Sequence, residues 1–102
     1  MQWINAGRED GLAEGQSKSI AVGRRMIALI HSDGKFYAIE DICTHDGAEL
    51  TGGEIEGAEI ICPRHGARFC LRTGEALTPP AYEPIRVFDT KIEDGCLWVL
   101  AG

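Results

Sequence analysis

The chain has 102 residues, of which 44% are hydrophobic and 25% are charged, and its formal net charge is −6. A chain of this length and composition is expected to fold as one domain, residues 1–102. Lys and Arg do not cluster anywhere, so no nucleic-acid partner is expected. The sequence contains neither an apolar run long enough to span a bilayer nor a signal-peptide pattern at its N-terminus. We therefore expect no membrane partner and a cytoplasmic location.

The first half of the chain is predicted to form short antiparallel strands. Trp3-Ile4 is predicted to open a sheet, and Val22 with its neighbours to form an early strand. Residues 25–30 and 35–39 are predicted to pair as a hairpin through the turn Asp33-Gly34, because Asp-Gly between apolar runs favours a two-residue turn.

The last quarter of the chain is predicted to form a second hairpin. Residues 85–88 and those after them would pair with residues 96–100 through the turn Glu93-Asp94-Gly95. The nearly continuous apolar character of the last strand predicts cover on both of its faces. Thirteen glycines in this short chain leave little room for long helices, so the predicted fold class is all-β.

Residues 43–80 differ from both flanks because glycines occur there in close succession. Short strands are expected around 58–61 and 67–71. Within the same segment two short motifs each join one thiol with one imidazole: Cys43-Thr44-His45 and Cys62-Pro63-Arg64-His65.

Two thiolates and two imidazoles match a [2Fe–2S] centre in which two His replace two Cys on one iron. Zinc accepts the same four ligands, but zinc fingers usually pair Cys with Cys and His with His, and these motifs do not. We therefore expect an iron–sulfur cluster, with a structural zinc site as the alternative.

The segments 43–47 and 62–66 closely resemble the two cluster-binding loops of the Rieske family, and Thr78-Pro79-Pro80 resembles the loop that covers the cluster. The chain is similar to the small soluble ferredoxins of bacterial multicomponent oxygenases. This resemblance implies the Rieske fold, an antiparallel β-sandwich base with an inserted cluster-binding subdomain at about 43–80. It also implies one [2Fe–2S] cluster per chain.

The resemblance assigns roles to individual residues. Cys43 and Cys62 are implied to bind the inner iron as thiolates, and His45 and His65 to bind the outer iron. The residues expected to surround the cluster are Thr44, Gly47, Gly66, Phe69 and Pro79. Glycines in such loops let backbone N–H groups approach the sulfurs.

The resemblance also bears on the reduction potential. High-potential members carry a disulfide between the loops, together with a Ser and a Tyr that donate hydrogen bonds to the cluster sulfurs. The matching positions here can do neither, since they are Ala48, Arg64, Ala67 and Phe69. Hydrogen bonds to sulfur stabilise the reduced cluster, so we expect a low potential, at or below about −100 mV.

No Ser–His–Asp set, phosphate loop or pair of catalytic carboxylates is visible, so the expected protein is an electron carrier and not an enzyme. The resemblance implies transfer of one electron from an NAD(P)H-dependent flavin reductase to a terminal oxygenase of a ring-hydroxylating dioxygenase system. A redox-sensing or iron–sulfur-assembly accessory protein is one alternative, left open by Cys70 and Cys96, which are expected to be free, buried thiols. A domain like the small subunit of nitrite reductase is another. Tyr82 and Trp98 are expected to be core or half-buried aromatic residues.

Overall fold

A computed structural model of the chain describes residues 1–44 and 47–101, and these residues form ten β-strands and one 3-10 helix, Glu9–Gly11. The strands are β1 Gln2–Arg8, β2 Ser17–Val22, β3 Arg25–Ser32, β4 Lys35–Glu40, β5 Ile55–Glu56, β6 Glu59–Ile61, β7 Arg68–Cys70, β8 Val87–Phe88, β9 Thr90–Glu93 and β10 Cys96–Ala101. The prediction of an all-β fold is confirmed. None of the helical structure in these ranges is long and apolar enough to cross a membrane.

The strands form three antiparallel sheets. Their orders are β1-β10-β9, β2-β3-β4-β8 and β5-β6-β7. The first two sheets face each other across a core that holds Ile27 and Leu29 of β3 together with Leu97 and Val99 of β10. These two sheets form the sandwich base.

Strand β3 is buried on both of its faces. Ile27 and Leu29 point into the core of the base, whereas Ala28 and Ile30 belong to a second buried cluster that also contains Phe69 of β7. The four residues 27–30 are all fully buried, which explains the continuous apolar run in the sequence. The third sheet therefore packs on the base through the outer face of β3 and β4.

The hairpin of β3 and β4 has the predicted turn. Ser32 pairs with Lys35, and the two turn residues Asp33 and Gly34 have φ values of 54° and 74°. Both values lie in the left-handed region that a type I′ turn requires, where Asp and Gly are favoured.

The second predicted hairpin is only partly correct. Thr90–Glu93 pairs with β10 through a turn at Asp94 and Gly95, as expected. Val87–Phe88, however, pairs with β4 in the other sheet, because Phe88 fills the core of the base and the chain changes sheets directly after it.

The prediction that β10 is covered on both faces is wrong. Leu97, Val99 and Ala101 are buried, but the alternate residues Trp98 and Leu100 are only half-buried. The sheet β1-β10-β9 has a core on one side only, so the outward face of β10 is sheltered only in part.

Candidate metal centre

The two motifs form loops with the same backbone hydrogen bonds. In the first loop, residues 43–48, the N–H of Cys43 donates to the Ala48 carbonyl over 2.7 Å and the N–H of Gly47 donates to the Cys43 carbonyl over 2.8 Å. In the second loop, residues 62–67, the corresponding bonds are Cys62 to Ala67 at 2.7 Å and Gly66 to Cys62 at 3.0 Å. The two cysteines therefore begin equivalent turns of the chain.

Glycine is required in both loops by backbone conformation. Gly47 and Gly66 occupy equivalent positions with φ values of 79° and 75°, in the left-handed region. A β-carbon at either position would meet no atom within 4 Å, so space is not the constraint.

The loops place thiols inside the protein and an imidazole at its surface. Cys43 is 0% exposed and Cys62 is 1% exposed, and both belong to the buried cluster that contains Phe69. His65 is exposed. His45 lies outside the described residues, as does Asp46 beside it.

A third segment, residues 77–85, is attached to both loops. The Thr78 hydroxyl accepts a 3.0 Å hydrogen bond from the N–H of Arg68, which follows the second loop. The Thr44 hydroxyl donates a 2.7 Å hydrogen bond to the Glu83 carbonyl. Pro79 is exposed on this segment, directly after Thr78. Its role and that of Thr44 beside the cluster stay predictions.

Sequence reasoning missed Asp41, which is only 5% exposed. Burial by itself would raise the pKa of this carboxyl, but hydrogen bonds from the Thr51 hydroxyl and from the N–H groups of Thr51 and Leu50 hold the pKa below its ordinary value. Asp41 is therefore ionised at neutral pH. The sequence feature that could have identified Asp41 is its position, directly after a predicted strand and the Glu40 that follows it, and two residues before the proposed ligand Cys43.

Tyr82 corrects another expectation, because its side chain is 81% exposed. Ala81 and Ile85 of the same segment are buried in the hydrophobic core that contains both cysteines. Tyr82 lies between them in the sequence and faces solvent. The expectation that Tyr82 is a core or half-buried residue is therefore wrong, because its ring is largely in solvent. Trp98 is half-buried, as expected.

The other two cysteines remain outside the site. No disulfide joins any of the four cysteines, all of which lie in the described ranges, and Cys70 and Cys96 are half-buried, not buried as expected. Ala48 and Arg64 carry no thiol, so the two loops are not joined by a disulfide.

The donors present fit a [2Fe–2S] cluster. Two buried thiols on equivalent loops can hold one iron in the interior, and a surface imidazole can hold the other. Within 1–44 and 47–101, no three His, Cys, Asp or Glu side chains lie close enough together to hold a single ion. A two-iron cluster does not need such convergence, because its Cys and His ligands belong to different irons.

Comparison with known proteins identifies relatives along nearly the whole chain. The family model described as Rieske [2Fe–2S] domain matches residues 2–89. The ferredoxin component of the naphthalene 1,2-dioxygenase/salicylate 5-hydroxylase systems of Ralstonia sp is 39% identical over 92 residues, which cover 90% of this chain and 88% of the relative. The 3-phenylpropionate/cinnamic acid dioxygenase ferredoxin subunit of Photorhabdus laumondii is 43% identical over 74 residues, 72% of this chain and 70% of the relative.

Solved structures agree with these relatives. The ferredoxin of carbazole 1,9a-dioxygenase from Nocardioides aromaticivorans IC177 superposes with a TM-score of 0.91 at 27% identity, covering 97% of each chain. A complex of reduced oxygenase and oxidised ferredoxin in carbazole 1,9a-dioxygenase matches with a TM-score of 0.89 at 32% identity, covering 95% of this chain and 91% of that one. The chain belongs to the Rieske [2Fe–2S] domain family, and it is an electron carrier with one [2Fe–2S] cluster.

Proposed function

We propose that this protein is the ferredoxin component of a ring-hydroxylating dioxygenase system. It carries one electron in the cytoplasm from an NAD(P)H-dependent flavin reductase to a terminal oxygenase. The observation that supports this most directly is the placement of the loops, with both thiols in the core and His65 at the surface of the same end. Relatives that match over most of their length are ferredoxin components of such systems.

Four side chains hold the cluster in this proposal. Cys43 and Cys62 bind the inner iron as thiolates, and His45 and His65 bind the outer iron through one ring nitrogen each. When bound, the cluster supplies reversible one-electron transfer. Zinc, with the same four donors, would supply a structural site only.

Residues around the two thiols influence the reduction potential of the cluster. Burial of both thiols keeps water away from the sulfur side of the site. Phe69 belongs to the same buried hydrophobic core as the two cysteines. Ala67 and Phe69, both fully buried, have no side-chain N–H or O–H group that could donate a hydrogen bond to a sulfur. The potential therefore lies at the low end of the Rieske range, at or below about −100 mV, which suits a donor to an oxygenase.

Partners dock at the end of the molecule that carries the loops, since His65 is exposed there. Tyr82 is the largest exposed side chain of the adjoining segment, and the Thr44–Glu83 hydrogen bond and the buried Ala81 hold its backbone in place. Exposed aromatic residues on fixed backbone are typical anchors of protein interfaces. The exposed charges around this end include two of each sign: Glu49, Arg64, Glu83 and Arg86.

The cluster is tested by EPR of the dithionite-reduced protein, with a potentiometric titration and metal analysis of the same sample. We expect a rhombic signal typical of mixed Cys and His ligation and a midpoint at or below about −100 mV. Zinc in place of iron would contradict the cofactor. A midpoint well above 0 mV would keep the cluster but contradict the role of oxygenase donor.

Docking is tested with Tyr82→Ala and with the terminal oxygenase and reductase of a naphthalene 1,2-dioxygenase system as probe partners. The substitution is expected to raise the half-saturating carrier concentration roughly 5- to 30-fold at unchanged midpoint potential. Ile92→Ala is the matched control, because Ile92 is an exposed apolar residue, 43% exposed, on β9 of the base. A wild-type protein that reduces no oxygenase would contradict the proposed function. Equal effects of the two substitutions would contradict only the docking surface.

A further inference from the structure

The two loops have the same internal hydrogen bonds but differ at the two residues that flank each loop, here called its neck. The second loop is closed by strand pairing, because Ile61 of β6 faces Arg68 of β7 directly below Cys62 and Ala67. The equivalent residues of the first loop, Ile42 and Glu49, lie in no strand. Among the described residues, no backbone hydrogen bond joins 41–42 to 49–51.

The Asp41 side chain spans this gap. Its Oδ1 accepts hydrogen bonds from the N–H of Leu50 over 2.8 Å and from the N–H of Thr51 over 2.9 Å. Its Oδ2 accepts a 2.7 Å bond from the Thr51 hydroxyl. Both carboxylate oxygens are therefore used on the two residues at which the chain returns from the first loop.

Asp41 is itself fixed to the base of the molecule. Its backbone N–H donates to the Met26 carbonyl of β3 over 3.0 Å. Leu50, whose N–H donates to the Asp41 carboxylate, is fully buried in the hydrophobic core that contains both cysteines. Asp41 thus connects the first loop to β3, with its carboxylate bound to Leu50 and Thr51 and its backbone N–H bound to Met26.

We propose that Asp41 is the positioning residue that holds the first loop, and with it Cys43, in register with the second loop. This inference rests on the proposed ligand set, since the first loop carries Cys43 and His45. A carboxylate suits the task because it accepts at both oxygens, whereas an amide accepts at one. Without it, no backbone hydrogen bond within the described ranges joins residues 41–42 to residues 49–51.

The test measures cluster loss to an iron chelator by visible absorbance in the reconstituted full chain. Asp41→Ala is expected to lose the cluster roughly tenfold faster than wild type, and Asp41→Asn to lie between the two. We also expect the EPR g-values of both variants to shift, which a change in overall stability alone would not produce. Glu14→Gln is the matched control, because Glu14 also accepts from two backbone N–H groups, those of Asp33 and Gly34, but beside the β3–β4 turn.

A second control separates loop positioning from general stability. Val99→Ala removes atoms from a fully buried side chain of the base, so it lowers stability without touching the loops. We expect its folded form, monitored by far-UV circular dichroism, to keep wild-type g-values and rates of cluster loss.

Equal loss rates in Val99→Ala and Asp41→Asn, or wild-type g-values and rates in both Asp41 variants, would overturn the proposal. If Asp41→Ala does not fold, Asp41→Asn decides. A wild-type protein without the Rieske signal would instead contradict the ligand set.

Discussion

Glu14 is an exposed carboxylate that ties a loop to the turn of a neighbouring hairpin. Its pKa is held below the ordinary value by the backbone N–H of Gly34 and then by that of Asp33, with a further contribution from nearby His31. The His31 ring, stacked on Phe36 at 4.2 Å, donates through Nδ1 to the Leu12 carbonyl over 2.8 Å. Together with the backbone hydrogen bonds that join Gly15 and Gln16 to His31, these contacts attach the segment around Leu12 to the β3–β4 hairpin.

Glu14→Gln is expected to lower the thermal unfolding midpoint slightly at neutral pH, because the charged acceptor of two N–H groups is lost. Since the folded pKa lies below the unfolded one, the ionised Glu14 contributes fully above the unfolded value, about 4.3, and its contribution disappears as the pH falls through the folded pKa. The difference in midpoint between wild type and variant should therefore shrink below about pH 4. Thermal scans across pH check this, and a difference that grows on acidification would contradict it.

Glycines set how closely the third sheet and the following segment approach each other. The N–H of Gly74 donates to the Cys70 carbonyl, its own carbonyl accepts from Ile85, and its φ is 81°. A β-carbon at Gly74 would collide with the Ile85 carbonyl oxygen. Gly52 has a similar φ, 89°, but a β-carbon there would meet nothing within 4 Å.

Alanine substitutions at Gly52 and Gly74 distinguish the cost of backbone strain from the cost of steric overlap. Gly52→Ala is expected to cost about 1–2 kcal/mol of unfolding free energy, from the left-handed conformation alone. Gly74→Ala is expected to cost about 2–5 kcal/mol, because displacement of the Ile85 carbonyl is added to that strain. Denaturant unfolding of both variants tests the order, and equal costs would show that the segment yields easily at Ile85.

The part of the chain that the structure describes has two buried cores, and strands β3 and β4 contribute side chains to both of them. The core of the base contains Leu97, and the second core contains Phe69 with Cys43 and Cys62. Residues 27–30 of β3, all fully buried, alternate between the two cores, and the core that contains both cysteines packs on its outer face. Residues held by buried strands of this kind can be positioned more precisely than residues on loops alone.

The two cores should therefore be separable by substitution. Leu97→Ala is expected to lower the unfolding free energy by about 2–5 kcal/mol while the midpoint potential stays at the wild-type value. Phe69→Leu, which removes less volume, is expected to shift the midpoint reduction potential because Phe69 lies in the same hydrophobic core as Cys43 and Cys62. Potentiometric titration beside denaturant unfolding makes the comparison, and a potential shift in Leu97→Ala alone would contradict it.

Features that depend on neighbouring residues are predictable from the amino-acid sequence. The Asp33-Gly34 turn, the Cys and His motifs and the glycines that follow them are local, since turn conformation and ligand spacing depend on a few adjacent residues. The likeness of the Cys43 and Cys62 loops was already visible as two similar motifs. These features were sufficient to predict the fold class and the cofactor.

Contacts between residues far apart in the chain are visible only in the folded molecule. The sequence does not show that Val87–Phe88 leaves its hairpin for the other sheet, that Tyr82 stands in solvent, or that Asp41 closes the neck of the first loop. Each depends on what faces the residue once distant segments have packed. A short apolar stretch, an aromatic ring or a buried carboxylate has no neighbour in sequence that supplies that partner, and so its role appears only in the folded molecule.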